Sequence, residues 1–294
     1  MIVDCHYHLD EDMVPLKNLL QSMDRHGIDR VALMARLTPP LALSSIFEHV
    51  AIPVFQWAIH NERNPFIGLV RRGYASSVRP DGTVSLAGRK YRLYSQPDND
   101  ATMKACEEHP DRFYGWIVIN PKGGADPISE LERCIRANGM IGVKVHPYWY
   151  DFPVSMVDDV AAWCEEHGKP MIIHLGTGDR GDFRRLPEKF PGLRIIYCHA
   201  GVPYPNPICE YAREKRNVYV DLAGNAFMNP RAALKAVSLA GAQKCLFGTD
   251  GPYHHDRGHM FDFGFYKSMI NSLNLPDQDQ EKVFAQNFLR IIES

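Results

Sequence analysis

The 294-residue sequence predicts an α/β fold, a (β/α)8 TIM barrel with an insertion after strand two, and three observations carry that prediction. Short apolar runs alternate with amphipathic stretches of helical period along the chain, and eight such runs can be counted. The ends of these runs collect chemistry: His6 and His8 at the first, His146 at the fourth, His174 at the fifth, His199 at the sixth and Asp250 at the eighth. In a barrel of this type the C-terminal strand ends converge on one site, so the placement is what the fold demands. An open, doubly wound sheet would also alternate, but no Gly-x-Gly-x-x-Gly follows the first run, which removes its best support.

The elements follow in order. Ile2 to Cys5 starts strand one and leads into His6-Tyr7-His8. Val14 to Gly27 is a helix with Leu16, Leu19, Leu20 and Met23 on one side and Gly27 ending it. Ile28 to Ala35 is strand two. The rhythm then breaks over residues 38–96, which we read as an insertion serving as a lid or an oligomer contact. It holds a short helix over Leu41 to Val50 and a β-hairpin over Tyr74 to Tyr94, with turns at Pro80-Asp81-Gly82 and near Gly88. The insertion has no substantial apolar core of its own, so residues 1–294 are expected to form one domain.

Regular alternation returns with the helix Asn99 to His109 and the strand Phe113 to Ile119. The helix Asp126 to Asn138, ended by Gly139, precedes the strand Ile141 to His146. The helix Ser155 to His167 precedes Met171 to His174, and a shorter helix near Asp182 to Phe190 precedes Leu193 to His199. A helix around Pro207 to Lys215 precedes Val218 to Leu222. The last pair is the helix Pro230 to Ala240 and the run Cys245 to Gly248, followed by helices over Phe261 to Leu273 and Gln280 to Ile292.

Composition excludes several classes. With 45% hydrophobic residues, 23% charged residues and net charge −2, the chain carries no basic stripe for nucleic acid or a membrane surface. No apolar run is long enough to span a bilayer, and a strand beginning at Ile2 leaves no expected leader. Seven cysteines, with no Cys-x-x-Cys and several in strand-like runs, suit buried thiols in a reducing cytoplasm.

Side chains alternate faces along a strand, so His6 and His8 point the same way with Asp4 below them. Two imidazoles on one face make half a metal site. A further imidazole and a carboxylate from other strand ends, with a position left open, make a catalytic site rather than a structural one. The stretches VDCHYH, GVKVHP, MIIHLG, IIYCHAG and FGTDGP, with QNFLRII near the end, resemble the amidohydrolase superfamily. Within it the chain is similar to the amidohydrolase-related branch that includes aminocarboxymuconate-semialdehyde decarboxylase.

The resemblance implies that His6, His8, His174 and Asp250 hold a divalent metal, with zinc expected and manganese, iron or cobalt as alternatives. It implies that Asp250 takes the proton of a metal-activated water and that His199 bonds that water or the substrate oxygen. The activity implied is hydrolysis of an amide, lactone or ester carbonyl. The alternative is non-oxidative decarboxylation of an unsaturated or aromatic acid, and a binding protein without turnover is a third reading. Lys144 shares the parity of His146, which turns it inward. It is either the carboxylated bridge of a two-metal site or, with the favoured single metal, a cation near the substrate carboxylate or in the lower site.

Blander roles stand beside these. Asp4 is read as a structural hydrogen-bonding residue, His146 as a substrate contact or a loop support, and Arg36 as half of a surface ion pair. His254, His255 and His259 are read as a solvated loop. The partner expected is a small carboxylic acid, lactone or amide, with no nucleic acid or membrane, and the chain is expected to form a homodimer.

Overall fold

The opening apolar run forms β1, Val3–Leu9, in which every residue is buried. A strand buried on both faces belongs inside a parallel sheet covered by helices. α1, Leu16–His26, then buries Leu19 and Met23 and stops at Gly27, whose φ of 65° is the left-handed conformation glycine adopts without strain. β2, Arg30–Ala35, lies parallel to β1. The computed structural model describes residues 1–41, 46–61, 63–79, 81–86, 89–254 and 261–293, and for residues 46–50 the backbone only.

Between β2 and the next barrel unit lie α2 (Ile46–Ile59), α3 (Ile67–Ala75) and the antiparallel pair β3 (Thr83–Leu86) and β4 (Arg89–Arg92). The expected hairpin is present, and its first turn is stabilised where Thr83 donates to Asp81 Oδ1. Pro80 and the turn near Gly88 lie outside the described residues, as do residues 42–45 of the expected short helix. That helix continues through Pro53 to Ile59, and α3 is a helix not expected from the sequence, whose last residues, Tyr74 and Ala75, fall where the hairpin was expected to begin.

The remaining units are α4 (Asn99–Glu108), β5 (Phe113–Ile119), α5 (Pro127–Cys134), β6 (Met140–Val145), α6 (Asp158–Glu166), β7 (Met171–Ile173), α7 (Arg185–Lys189), β8 (Ile195–Tyr197), α8 (Pro205–Glu214), β9 (Val218–Asp221), α9 (Pro230–Ala240) and β10 (Cys245–Leu246). Local chemistry starts several helices. Asp98 accepts from the amides of Asp100 and Ala101, Asp126 from Ser129, and Asn229 from Ala232, so donors left without intrahelical partners are satisfied. Pro127 and Pro230 sit in the first turn, where their missing N–H costs nothing.

The eight parallel strands run in the order β1-β2-β5-β6-β7-β8-β9-β10. The residues after β10 return to β1 and close the ring: Cys5 N donates to Phe247 O at 3.0 Å, Asp250 N to His6 O at 2.8 Å and His8 N to Gly251 O at 2.6 Å. This is the predicted (β/α)8 barrel. The tail holds α10 (Phe263–Asn271), α11 (Asp277–Glu281) and α12 (Asn287–Glu293), and Asn287 Nδ2 donates to Ala242 O and Cys245 O beside β10. No helix of the described residues is long and apolar enough to cross a membrane.

The segment between β2 and α4 is fastened across the barrel mouth by polar contacts at several points. Gln56 Nε2 donates to Asn225 O at 2.6 Å and Asn229 Nδ2 to Gln56 Oε1 at 2.8 Å. His60 Nε2 meets Phe227 O at 2.9 Å, and Arg71 Nε donates to Pro203 O. Tyr148 OH, from the loop after β6, donates to Tyr74 O at 2.7 Å, and the two rings stack with centroids 3.9 Å apart. Ile59, Tyr74, Tyr148 and Val202 form a small apolar cluster there, shared between the segment and the barrel loops.

Candidate active site

Asp4 anchors the first strand to the last. Thr249 Oγ1 donates to Asp4 Oδ2 at 2.6 Å, and the amides of Thr249 and His6 both donate to Oδ1. Burial pushes this carboxyl up to about 7 against those bonds, and the geometry gives it the structural role expected. Directly above, the alternation of β1 turns His6 and His8 to the same side, and Asp250 meets both. Asp250 Oδ1 lies 3.2 Å from His6 Nε2 and 3.4 Å from His8 Nε2. Its φ of 58° puts a non-glycine residue in the left-handed region, a conformation that persists only where the surroundings enforce it. Here its amide is held by His6 O.

The outer nitrogens of both histidines are engaged elsewhere. His6 Nδ1 donates to Asp221 Oδ2 at 2.9 Å, and His8 Nδ1 meets Ala35 O at 3.3 Å. Fixing Nδ1–H leaves each Nε2 lone pair facing Asp250, as in metal-binding histidines, whose other nitrogen is held by a carboxylate or a carbonyl. Nitrogen and carboxylate donors of His6, His8 and Asp250 all lie within 4.8 Å of one another. This set fits a divalent metal of the zinc, manganese, iron or cobalt type.

The electrostatics agree with that fit. Burial works to raise the Asp250 carboxyl, yet His199 and His6 with the bonds from His6 and His8 hold it well below its usual range. Burial and Lys144 oppose a proton on His6, but Cys198, Asp221 and Asp250 outweigh them and raise it well above its usual value. A cluster that draws a proton onto a buried imidazole calls for positive charge, and a cation that binds there displaces the proton.

His174 and His199 form a second tier. His199 N donates to Asp221 Oδ1 at 2.6 Å, and His199 Nδ1 lies 2.9 Å from Ala223 O. His199 Nε2 is 3.2 Å from His174 Nδ1, and His174 Nε2 is 2.8 Å from the Tyr74 hydroxyl. Burial lowers both histidines, His199 to about 4 and His174 well below its ordinary value, so both are neutral. Neutral rings fit one direction of donation: Tyr74 OH to His174 Nε2, His174 Nδ1–H to His199 Nε2, His199 Nδ1–H to Ala223 O. His199 Nε2 is 3.9 Å from Asp250 Oδ2. His174, expected as a metal ligand, meets Tyr74 OH and His199 Nε2 with its two nitrogens and lines the same cavity as Asp250; the donors that lie within 4.8 Å of one another are those of His6, His8 and Asp250. Gly224 is required beside them: a Cβ there would stand 3.0 Å from His199 Nδ1 and 3.1 Å from Asp250 Oδ2, and its φ is 77°.

Lys144 is fully buried beneath His6, with Nζ 3.4 Å from His6 Nε2 and 3.0 Å from Cys198 Sγ, and it does not line the cavity described below. His6, Cys198 and Asp221 make a second group of donors within 4.8 Å around it. Both Asp221 oxygens already accept from His6, His199 and Ala223, so that group holds a network rather than an open coordination site. His146 accepts from Trp149 N and its ring stacks on His174 with centroids 4.2 Å apart, so it supports the loop and also lines the cavity. Arg36 pairs with Asp10 and Asp12, as an ion-pair reading expects.

Two residues escaped the sequence reading. Asp221 ends β9 and orients both His6 and His199; a carboxylate inside the run VYVDLAG was the available signal, because a buried charge needs partners. Tyr74 comes from α3, and nothing in its local sequence marks it. His254 corrects an expectation: it is buried and not solvated, because its ring packs edge-on against Phe265 and Tyr266 and its Nδ1 lies 3.2 Å from the Tyr266 hydroxyl. His255 and His259 lie outside the described residues. Replacing Asp221 by asparagine is expected to weaken metal binding by about 10–100-fold, measured by competition with a chelating dye. Unchanged affinity would leave Asp221 a purely structural residue.

Above the cluster opens a cavity of about 600 Å³. His8, His146, His174 and Asp250 line its floor, and aromatic residues Tyr148, Trp149, Phe227 and Tyr253 its sides. The segment between β2 and α4 supplies the rest of the wall, Phe55 and Tyr74 among it.

The family model described as Amidohydrolase matches residues 3–291. The chain is 24% identical over 255 residues to a 2-keto-4-carboxy-3-hexenedioate hydratase of Sphingobium sp. (strain NBRC 103272 / SYK-6), covering 67% of this chain and 71% of that one. It is 22% identical over 262 residues to a gamma-resorcylate decarboxylase of Polaromonas sp. (strain JS666 / ATCC BAA-500), covering 66% and 75%. Among solved structures, 5-carboxyvanillate decarboxylase from Sphingomonas paucimobilis superposes with a TM-score of 0.60 at 15% identity, covering 99% of this chain and 98% of that chain.

Proposed function

The chain belongs to the amidohydrolase family, and from that premise we propose that it is a metal-dependent, non-oxidative decarboxylase of an unsaturated or aromatic carboxylic acid. The observation that carries this reading is the wall around the His/Asp cluster. Tyr148, Trp149, Phe227 and Tyr253 stand beside His8 and Asp250, so a carboxylate brought to the cluster leaves water for an apolar, aromatic surround. Desolvation penalises the localised charge of the carboxylate more than the charge spread into an unsaturated system as carbon dioxide departs. The relatives named as decarboxylases support the same choice over hydrolysis.

In this reading His6, His8 and Asp250 hold one divalent ion per chain, with His174 beside them. The ion, when bound, supplies Lewis acidity and fixes the orientation of the acid. Asp250 handles the proton. Its carboxylate is ionised and keeps 16% of its side-chain surface open, so it can take a proton from the incoming acid or its hydroxyl and return it to the carbon that loses carbon dioxide. Neutral His199, fixed by Asp221 and Ala223, accepts from His174 at Nε2 and so holds that ring in place at the floor of the cavity beside Asp250.

Hydrolysis of a lactone, amide or ester carbonyl is the second reading, favoured by the same ionised Asp250, which is the base that reaction requires. Incubation of metal-loaded enzyme with hydroxybenzoates and with lactones in 18O-labelled water separates the two. Carbon dioxide release without label in the organic product is expected. Labelled carboxyl product from a lactone, with no carbon dioxide from any acid, would overturn decarboxylation in favour of hydrolysis.

A further inference from the structure

We infer that the substrate is a monoacid whose end remote from the reacting carboxyl group is apolar and uncharged, and that the segment between β2 and α4 sets this selectivity. The inference rests on the reading of His8, His174 and Asp250 as the reacting end of the cavity. The segment between β2 and α4 contributes Leu41, Ile52, Val54, Phe55, Val70 and Leu86 to the wall, all of them apolar. Among the described residues no lysine or arginine lines the cavity.

Cations nearby are committed elsewhere. Arg71 Nε donates to Pro203 O and its guanidinium lies over the Tyr204 ring, Arg180 pairs with Asp151, and Arg36 pairs with Asp10 and Asp12. Most hydroxyls on the wall are spent: Tyr74 OH on His174, Tyr148 OH on Tyr74 O, and Ser77 Oγ on the Tyr148 hydroxyl and Tyr74 O; Tyr253 stands beside His8 at the reacting end, which leaves Ser85 as the hydroxyl next to Leu86. Among the described residues, a second carboxylate at the remote end would meet hydrocarbon and aromatic faces and no cation, with Ser85 too little to replace its water. An alkyl or aryl group there would instead bury its surface at roughly a fourfold gain in binding per methylene.

The test uses the metal-loaded full chain and three probes: 2-hydroxybenzoate, its 4-n-butyl derivative and its 4-carboxylate derivative. Binding is measured by calorimetry, independently of turnover, and carbon dioxide release is measured beside it. The butyl acid is expected to bind at least about 10-fold more tightly than the parent, and the 4-carboxylate about 100-fold more weakly than the butyl acid. Equal or tighter binding of the 4-carboxylate, or no binding by any of the three, would overturn the inference. The expected order without carbon dioxide would sink the decarboxylase reading and leave the inference standing; carbon dioxide with the order reversed would do the opposite. Val54→Lys adds a second arm. Val54 is 60% exposed and lines the cavity, so the substitution is compatible with folding. It should narrow the butyl-to-carboxylate ratio at least about 10-fold by supplying the missing cation, and an unchanged ratio would remove the segment from the selectivity.

Discussion

Protein purified without chelator is expected to carry about one equivalent of divalent metal per chain, and a His6→Ala/His8→Ala variant none. Both imidazoles aim Nε2 at Asp250 Oδ1, and each is fixed from behind, His6 by Asp221 and His8 by the Ala35 carbonyl. Alanine at both positions leaves one carboxylate of the donor set, too little to retain an ion through purification. Turnover should fall by at least about 10³-fold, because the ion supplies several kcal/mol of charge stabilisation and each 1.36 kcal/mol is tenfold. Elemental analysis beside circular dichroism checks both points. About two equivalents in the parent protein would instead promote Lys144 to a carboxylated bridge and favour hydrolysis. A parent protein that takes up no metal even on remetallation would end the metal mechanism.

Much of this architecture was legible because barrel strands are short, apolar and punctuated. Gly27 and Gly168 mark helix ends by their positive φ, and the capping Asp126 and Asn229 mark starts to within a residue or so; the helix expected to run to Asn138 before Gly139 instead ends at Cys134. The parity of His6 and His8 follows from strand geometry alone. What sequence could not supply is which ring nitrogen faces what. His174 and His199 are equally good ligands on paper. In the fold the Tyr74 hydroxyl occupies His174 Nε2, and the other nitrogen points to His199. That contact comes from a helix containing Gly68 and Gly73, residues that weaken helical propensity and hide the element in a sequence reading. Pro53 conceals α2 in the same way, since a proline inside a helix normally ends it. Asp221 was obscured differently. The expected strand Val218 to Leu222 contains Asp221, but which partners its carboxylate meets is set only where the converging strands bring His6 and His199 to it.

Asp250→Asn separates holding the ion from moving the proton. The amide keeps an oxygen in the place of Oδ1, near His6 Nε2 and His8 Nε2, so much of the bound metal should remain. It removes the charge that His199 and His6 now stabilise, and an amide neither takes up a proton nor delivers one near neutral pH. Asp221 still accepts from His6 Nδ1 and from the His199 amide, so the second tier keeps its orientation and the fold should survive. Turnover is expected to drop about 10²–10⁴-fold, the usual weight of a positioned acid–base group, with far smaller change in metal content. A matched loss of metal and activity would mean that Asp250 acts only as a ligand. Activity retained in a metal-replete variant would move the proton to His199, and His199→Gln would then show the larger loss.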